Sequence, residues 1–211
     1  MHLQLRRKTA MTMPMSTPCL FPTSPTSLFR TMAAKDSQAA ISSLCRQCTL
    51  CCTGVLFVDV QLQHSREVDF LEERGVDLAW DQKEAYLDQP CDCLGEQGCC
   101  RIYEHRPSMC AAFECSLLTS YLGGTVSLSD CQTQVQRAHA MIAEIESLLQ
   151  ALGQDDRSIP LFYRIEEVLA QPWDLAEPAL IQKQREKLFE GSGALSAFLE
   201  EHFLEKGPSV S

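Results

Sequence analysis

The sequence predicts an α+β protein, mostly α, in which a small metal-stapled cysteine-cluster domain with a short strand precedes a packed helical segment. Three observations carry that prediction. Ten of the twelve cysteines lie between residues 41 and 118, in two groups separated by a spacer. A β-branched, apolar run follows the first group and reads as a strand. Beyond residue 129 the apolar residues recur at intervals of three and four, the spacing of one helix face. The implied organisation is a tail over 1–40, a cysteine-cluster metal-binding domain over 41–118 and a helical C-terminal extension over 119–205.

Residues 1–40 are rich in Ser, Thr and Pro, so they read as a disordered tail. Bearing arginine and almost no acid, the tail has the outline of an organelle transit peptide. Met32 also opens a run, MAAKDSQAAISSLC, that begins like an ordinary N-terminus. This simpler start is the favoured reading and makes Cys19 a spectator.

In the cysteine block, Gly54-Val55-Leu56-Phe57-Val58-Asp59-Val60 is the expected strand. His64–Leu71 and Leu78–Leu87 read as short helices interrupted at Gly75, the second halted by Pro90. In the extension, a helix capped by Ser129 or Asp130 carries Val135, Ala138, Ile142, Ile145, Leu149 and Leu152, and Gly153 stops it. A second opens at Ser158-Ile159-Pro160 with Leu161, Ile165, Val168 and Leu169 inward, ending before Pro172. A third runs from Pro178 through Ile181, Leu188 and Phe189 to Gly191-Ser192-Gly193. A fourth uses Leu195, Phe198, Leu199 and Phe203. Each stripe is one-sided, so the helices must pack on one another or on the cysteine block.

Charge excludes one class of partner. Residues 1–35 hold five basic residues and no acid, so all 28 acidic residues fall in 36–211 against 13 basic ones, a formal charge of −15. Such a surface repels phosphate backbones, and no nucleic-acid partner is expected. No apolar run approaches the roughly 18 residues of a membrane-spanning helix, so no membrane partner is expected either. The basic start lacks the continuous apolar core of an export signal. A reducing, cytoplasmic setting with metal-bound thiolates is therefore favoured over a disulfide framework.

The first group reads CRQCTLCC, residues 45–52. A two-residue gap lets the chain turn so that two sulfurs reach one ion at about 2.3 Å for zinc. Two such gaps in series resemble the start of a ferredoxin cluster site, where closely spaced thiolates grip one cube. Cys52 breaks the series, because adjacent side chains point apart in most backbone conformations; it belongs to a different corner or a second metal. The second group, PCDCLGEQGCCRIYEHRPSMCAAFEC over 90–115, supplies Cys91, Cys93, Cys99, Cys100, Cys110 and Cys115. A tetrahedral zinc and a four-iron cluster each need four thiolates, so the thiols exceed what one site requires.

Together the two groups resemble the CxxCxxCC family, also called YkgJ-like cysteine-cluster proteins and described as zinc- or iron-chelating domains. The resemblance rests on CRQCTLCC, on Pro90-Cys91-x-x-Leu94 and on CCRIYEHRPSMCAAFEC, and spans about 41–118. Carried over by position, it implies metal ligands at Cys45, Cys48, Cys51, Cys52, Cys91, Cys100, Cys110 and Cys115. Cys93, Cys99 and Cys131 fall outside that set. Ala111 stands where the family usually has a basic residue, a departure that removes a charge partner and no ligand.

The resemblance implies chelation of zinc or iron, including an iron–sulfur cluster. A flagellin lysine methylase shares such a cysteine cluster, which makes an iron–sulfur-dependent protein-modifying enzyme the alternative; a zinc-scaffolded module binding a protein partner through the helical segment is another. No phosphate-gripping loop, GxGxxG turn, HExxH or GxSxG is present, so no reaction is assigned. Arg101, His105 and Arg106 are expected to fix the turn around the second group, ahead of lowering thiol pKa values. His64, His139 and His202 show no ligand spacing.

Overall fold

The computed structural model describes residues 41–95, 98–172 and 178–204. The expectations for residues 1–40, with Cys19 and Met32, lie outside the described residues. The class is as expected: seven α-helices with one three-stranded sheet among the described residues.

Helix α1 runs through residues 41–48 and buries Leu44. The strand expected over 54–60 forms later and shorter, as β1, Asp59–Gln61. Gly54 turns the chain at a φ of +77°, and Val55 and Leu56 both donate their N–H to the Leu50 carbonyl at 3.1 Å. The apolar run thus wraps back onto the end of α1 instead of pairing, and Val55 is buried there.

Helix α2, Ser65–Glu72, follows the expectation, and the chain leaves it through Gly75 at a φ of +72°. The helix expected over 78–87 is a hairpin instead. Strands β2 (Ala79–Asp81) and β3 (Glu84–Asp88) pair antiparallel, and β1 adds to the other side of β3 in the order β1-β3-β2. Leu87 faces Val60 and Ala85 faces Trp80 across the ladders. Alternation explains the outcome: Ala85 and Leu87 are buried, Glu84 is exposed, and Tyr86 and Asp88 are half-buried. A two-residue turn with Gln82 at a φ of +53° joins the strands, so partners on both edges outweigh the helical propensity of Gln, Lys, Glu and Ala. Leu62, Leu71, Val76, Ala85, Leu87 and Cys93 form a small core under this sheet.

A 3₁₀ turn at Tyr103–His105, α3 (Ser108–Ala112) and α4 (Ser116–Leu122) lead into the long helix α5, Leu128–Ala151. Ser127, not Ser129 or Asp130, caps α5. Its hydroxyl accepts the Asp130 N–H at 3.1 Å, and the Asp130 carboxylate accepts the Ser127 N–H at 3.1 Å. Val135, Ala138, Ile145 and Leu149 point inward as expected, with the fully buried Cys131 heading the same stripe. Helix α6, Leu161–Leu169, begins after Pro160.

The two helices expected over 178–203 are one, α7, Ala179–His202. Gly191 and Gly193 lie inside it. Mid-helix glycine costs about 1 kcal/mol relative to alanine, which the continuous inward row Leu188, Leu195 and Leu199 offsets. Phe189, expected inward, is 67% exposed because it lies one residue off that row. The larger core combines α5, α6 and α7 with Leu44, Leu50, Val55 and Leu117, so the first cysteine group sits directly on the helical block.

Two buried arginines pin the helices. Arg164 on α6 donates to both carboxylate oxygens of Glu146 on α5. Arg185 on α7 donates to the Val168, Gln171 and Pro172 carbonyls, which places a cation at the negative end of α6. Among the described residues no helix is long and apolar enough to cross a membrane.

Candidate metal centre

Cys45 and Cys48 lie on α1, and Cys51 and Cys52 on the turn that ends it. Thr49, at a φ of +52°, starts that turn and donates its N–H to the Cys45 carbonyl at 3.0 Å. The second group arrives by a different route. The Cys91 N–H donates to the Cys52 carbonyl at 2.8 Å, stitching the two groups together. Leu94 and Cys100 form an antiparallel bridge that folds Cys100 back beside Cys91. Helix α3 carries Cys110, and Cys115 precedes α4, whose first N–H (Ser116) is held by the Phe203 carbonyl at 3.1 Å. Between them Phe113 meets Phe57 edge-on at 4.8 Å, which ties this part of the second group to the segment that follows the first.

All eight cysteines implied by the resemblance therefore gather at the seam between the two cores. Cys45, Cys48, Cys51 and Cys115 lie within electrostatic reach of one another. Cys52 acts instead with Cys91, Cys100 and Cys110, and Cys110 acts in turn with Cys91 and Cys100. Cys51 and Cys45 also reach Cys52, so the two sets adjoin.

Burial dominates the thiol chemistry. It pushes Cys48 and Cys52 each up to about 12 and Cys110 up to about 11, with neighbouring thiolates adding to the effect. Burial also raises Cys45, Cys51 and Cys115. Arg106 opposes the rise at Cys45 and Cys110. Its guanidinium lies 3.9 Å over the Tyr103 ring and its Nε donates to the Tyr103 carbonyl at 3.1 Å, so it both fixes the turn and faces the thiols. Arg101 donates to the Asp92 carbonyl within the loop.

Of the cysteines outside the set, Cys93 is buried and hydrogen-bonded with Cys91, a bond that raises its pKa ahead of burial. Cys99 is buried in the same loop. Cys131 lies apart in the larger core, its sulfur 3.9 Å from the Leu117 carbonyl. All eleven described cysteines are free thiols. Two further residues shape the site without any short-range sequence signal. Glu67 on α2 accepts the Ser108 N–H at 2.8 Å and so fixes the start of the helix bearing Cys110. Gly98, at a φ of +68°, lies where a Cβ would stand 2.7 Å from the Arg46 carbonyl oxygen.

Residues 44–140 match the family model described as "CxxCxxCC: Putative zinc- or iron-chelating domain". This stretch is similar to the CxxCxxCC domain. The match supports metal binding, and its span carries the domain past the cysteines into α5. No curated protein and no solved structure matches the chain.

The donors fit a thiophilic metal. Soft thiols are gathered in water-poor surroundings where proton loss is opposed until a cation compensates it. Among the described residues no group of three His, Cys, Asp or Glu side chains is arranged to hold an ion.

Proposed function

We propose that the chain is a thiolate metal-binding protein that holds zinc or iron through Cys45, Cys48, Cys51, Cys52, Cys91, Cys100, Cys110 and Cys115, and that the metal is a structural staple. In this reading residues 41–118 form the metal-holding unit, 119–205 the helical buttress, and a reducing cytoplasm keeps the thiols available. One observation carries the reading: the eight thiols gather where the small core under the sheet meets the larger helical core.

The small core rests on strands of three to five residues and a few buried side chains, too little to hold a unit firmly. When bound, a metal replaces thiol protons and can contribute on the order of 10 kcal/mol to folding. The protein's own part is to bring the donors from α1, the 91–100 loop and α3–α4 to one place, with Arg106 offsetting part of their negative charge.

Oxygen-free purification followed by Zn, Fe and sulfide analysis tests this. Bound zinc, or iron with a visible sulfur-to-iron band, is expected to disappear in a Cys48→Ser/Cys110→Ser double variant and persist in Cys19→Ser. Removing the metal should also cost the sheet region its protection from hydrogen exchange while α5–α7 keep theirs. Metal-free wild-type protein, or a double variant that retains full metal, would sink the reading. Iron with stoichiometric sulfide is the result that would direct attention to a redox or protein-modifying role.

A further inference from the structure

We propose that the CxxCxxCC-like domain holds two separate metal centres, one closed by Cys45, Cys48, Cys51 and Cys115 and the other by Cys52, Cys91, Cys100 and Cys110. The division rests on the chelation reading above and refines it, and three kinds of observation support it.

The backbone comes first. The Cys91 N–H bond to the Cys52 carbonyl ties Cys52 to the start of the second group, and the Leu94–Cys100 bridge brings Cys100 to the same place. Cys51 and Cys52 are consecutive in that turn, and the proposed division falls between them. Packing gives the second: Cys48 and Cys115 pack against the larger core, whereas Cys91 packs against the smaller one. Cys48 and Cys115 of one set and Cys91 of the other are thus anchored to different hydrophobic bodies.

Proximity supplies the third. Within the first set every thiol acts on every other. Within the second, Cys52 acts on Cys91, Cys100 and Cys110, and Cys110 on Cys91 and Cys100. Cys52 is also linked to Cys51 and Cys45, so the sets adjoin at the Cys51–Cys52 step. Cys115 follows Cys110 by five residues yet is assigned to the other set, because α3 ends at Ala112 and an extended link from Phe113 leads to α4. Four thiolates are what a tetrahedral zinc or one iron–sulfur cube requires. Cys93, bonded to Cys91, then lies beside the second centre as a neighbour to a ligand.

The test uses the full chain, reduced, stripped of metal and reloaded with ¹¹³Cd²⁺. Two cadmium ions per chain are expected, giving two signals of equal intensity in the all-sulfur range. Cadmium–proton correlation should link each signal to the β-protons of four cysteines, divided as above. Cys48→Ser should weaken or remove the first signal alone, and Cys110→Ser the second alone. One ion per chain, or a single cysteine correlated with both ions, would overturn the division while leaving chelation intact. A wild-type chain that takes up no cadmium would instead overturn the chelation reading beneath it. The correlation experiment needs only wild-type protein, so a variant that fails to fold does not spoil the test.

Discussion

Gly98 shows how one residue can govern a site it does not enter. It holds a φ of +68°, where a side chain is strained, and an added Cβ would stand 2.7 Å from the Arg46 carbonyl oxygen and 2.9 Å from Thr49 Cγ2. Both neighbours belong to the first cysteine group, so the loop bearing Cys99 and Cys100 is pressed onto the segment bearing Cys45 and Cys48. Gly98→Ala is expected to destabilise the metal-free chain by about 2 kcal/mol, from the left-handed backbone and the displaced loop together. Metal uptake should weaken as well, because Cys100 would be moved away from Cys52. Urea denaturation with and without metal measures both effects; an unchanged midpoint would mean that the loop yields freely. Residue spacing alone offered ten thiols in two groups, and the set of eight came from the resemblance to the CxxCxxCC family. Of the proposed division, spacing marked only Cys52 as serving another corner or a second metal; its partners depend on contacts such as Cys52 with Cys91 and on cores assembled from distant residues.

At the scale of elements, the stripe of α5 could be read directly because its period is unbroken and its end is marked by Gly153. The β2–β3 hairpin could not. Its residues favour helix locally, and only pairing with Val60 and Trp80 on the two flanks makes the alternation of Ala85 and Leu87 decisive. Helix α7 failed in the opposite sense, since Gly191 and Gly193 mimic a stop while the buried row from Leu188 to Leu199 carries the helix through. Those glycines are not demanded by packing. A Cβ at Gly193 meets nothing within 4 Å, and one at Gly191 meets only Ile145 Cγ1 at 3.8 Å, ordinary contact. Gly191→Ala and Gly193→Ala should therefore each stabilise by about 0.5–1 kcal/mol and raise Tm by about 1–4 °C. Calorimetry of the two single variants checks this, and a fall in Tm at Gly193 would show that the site is not the open helical position described.

Across the whole molecule, the cysteine seam depends on a helical block that is itself pinned by charge. Arg164 is only 3% exposed and meets Glu146 through two hydrogen bonds, while Arg157 reaches the same carboxylate from the surface at 3.2 Å. Burial works to raise the Glu146 pKa, but the hydrogen bonds and charge of Arg164, with Arg157 assisting, outweigh it and leave the group below its usual value. A carboxyl lowered in the folded state binds its proton more weakly there than in the unfolded chain. Its stabilising contribution is therefore fully present above the unfolded value of about 4.3 and is lost as pH falls through the lower folded value. Glu146→Gln removes the charge and leaves Arg164 buried against a neutral amide. The expected cost near pH 7 is about 2–3 kcal/mol, below that of a fully buried pair because the Glu146 carboxylate keeps some solvent. Paired urea titrations of wild type and Glu146→Gln should show a constant gap at neutral pH that narrows below about pH 4. Taking the difference cancels the other carboxylates, so a gap that persists into strong acid would mean that Glu146 acts through its shape and not its charge. A gap absent at neutral pH would mean that Arg164 is held well enough by the Ile159 carbonyl, which it also reaches through Nε at 3.1 Å.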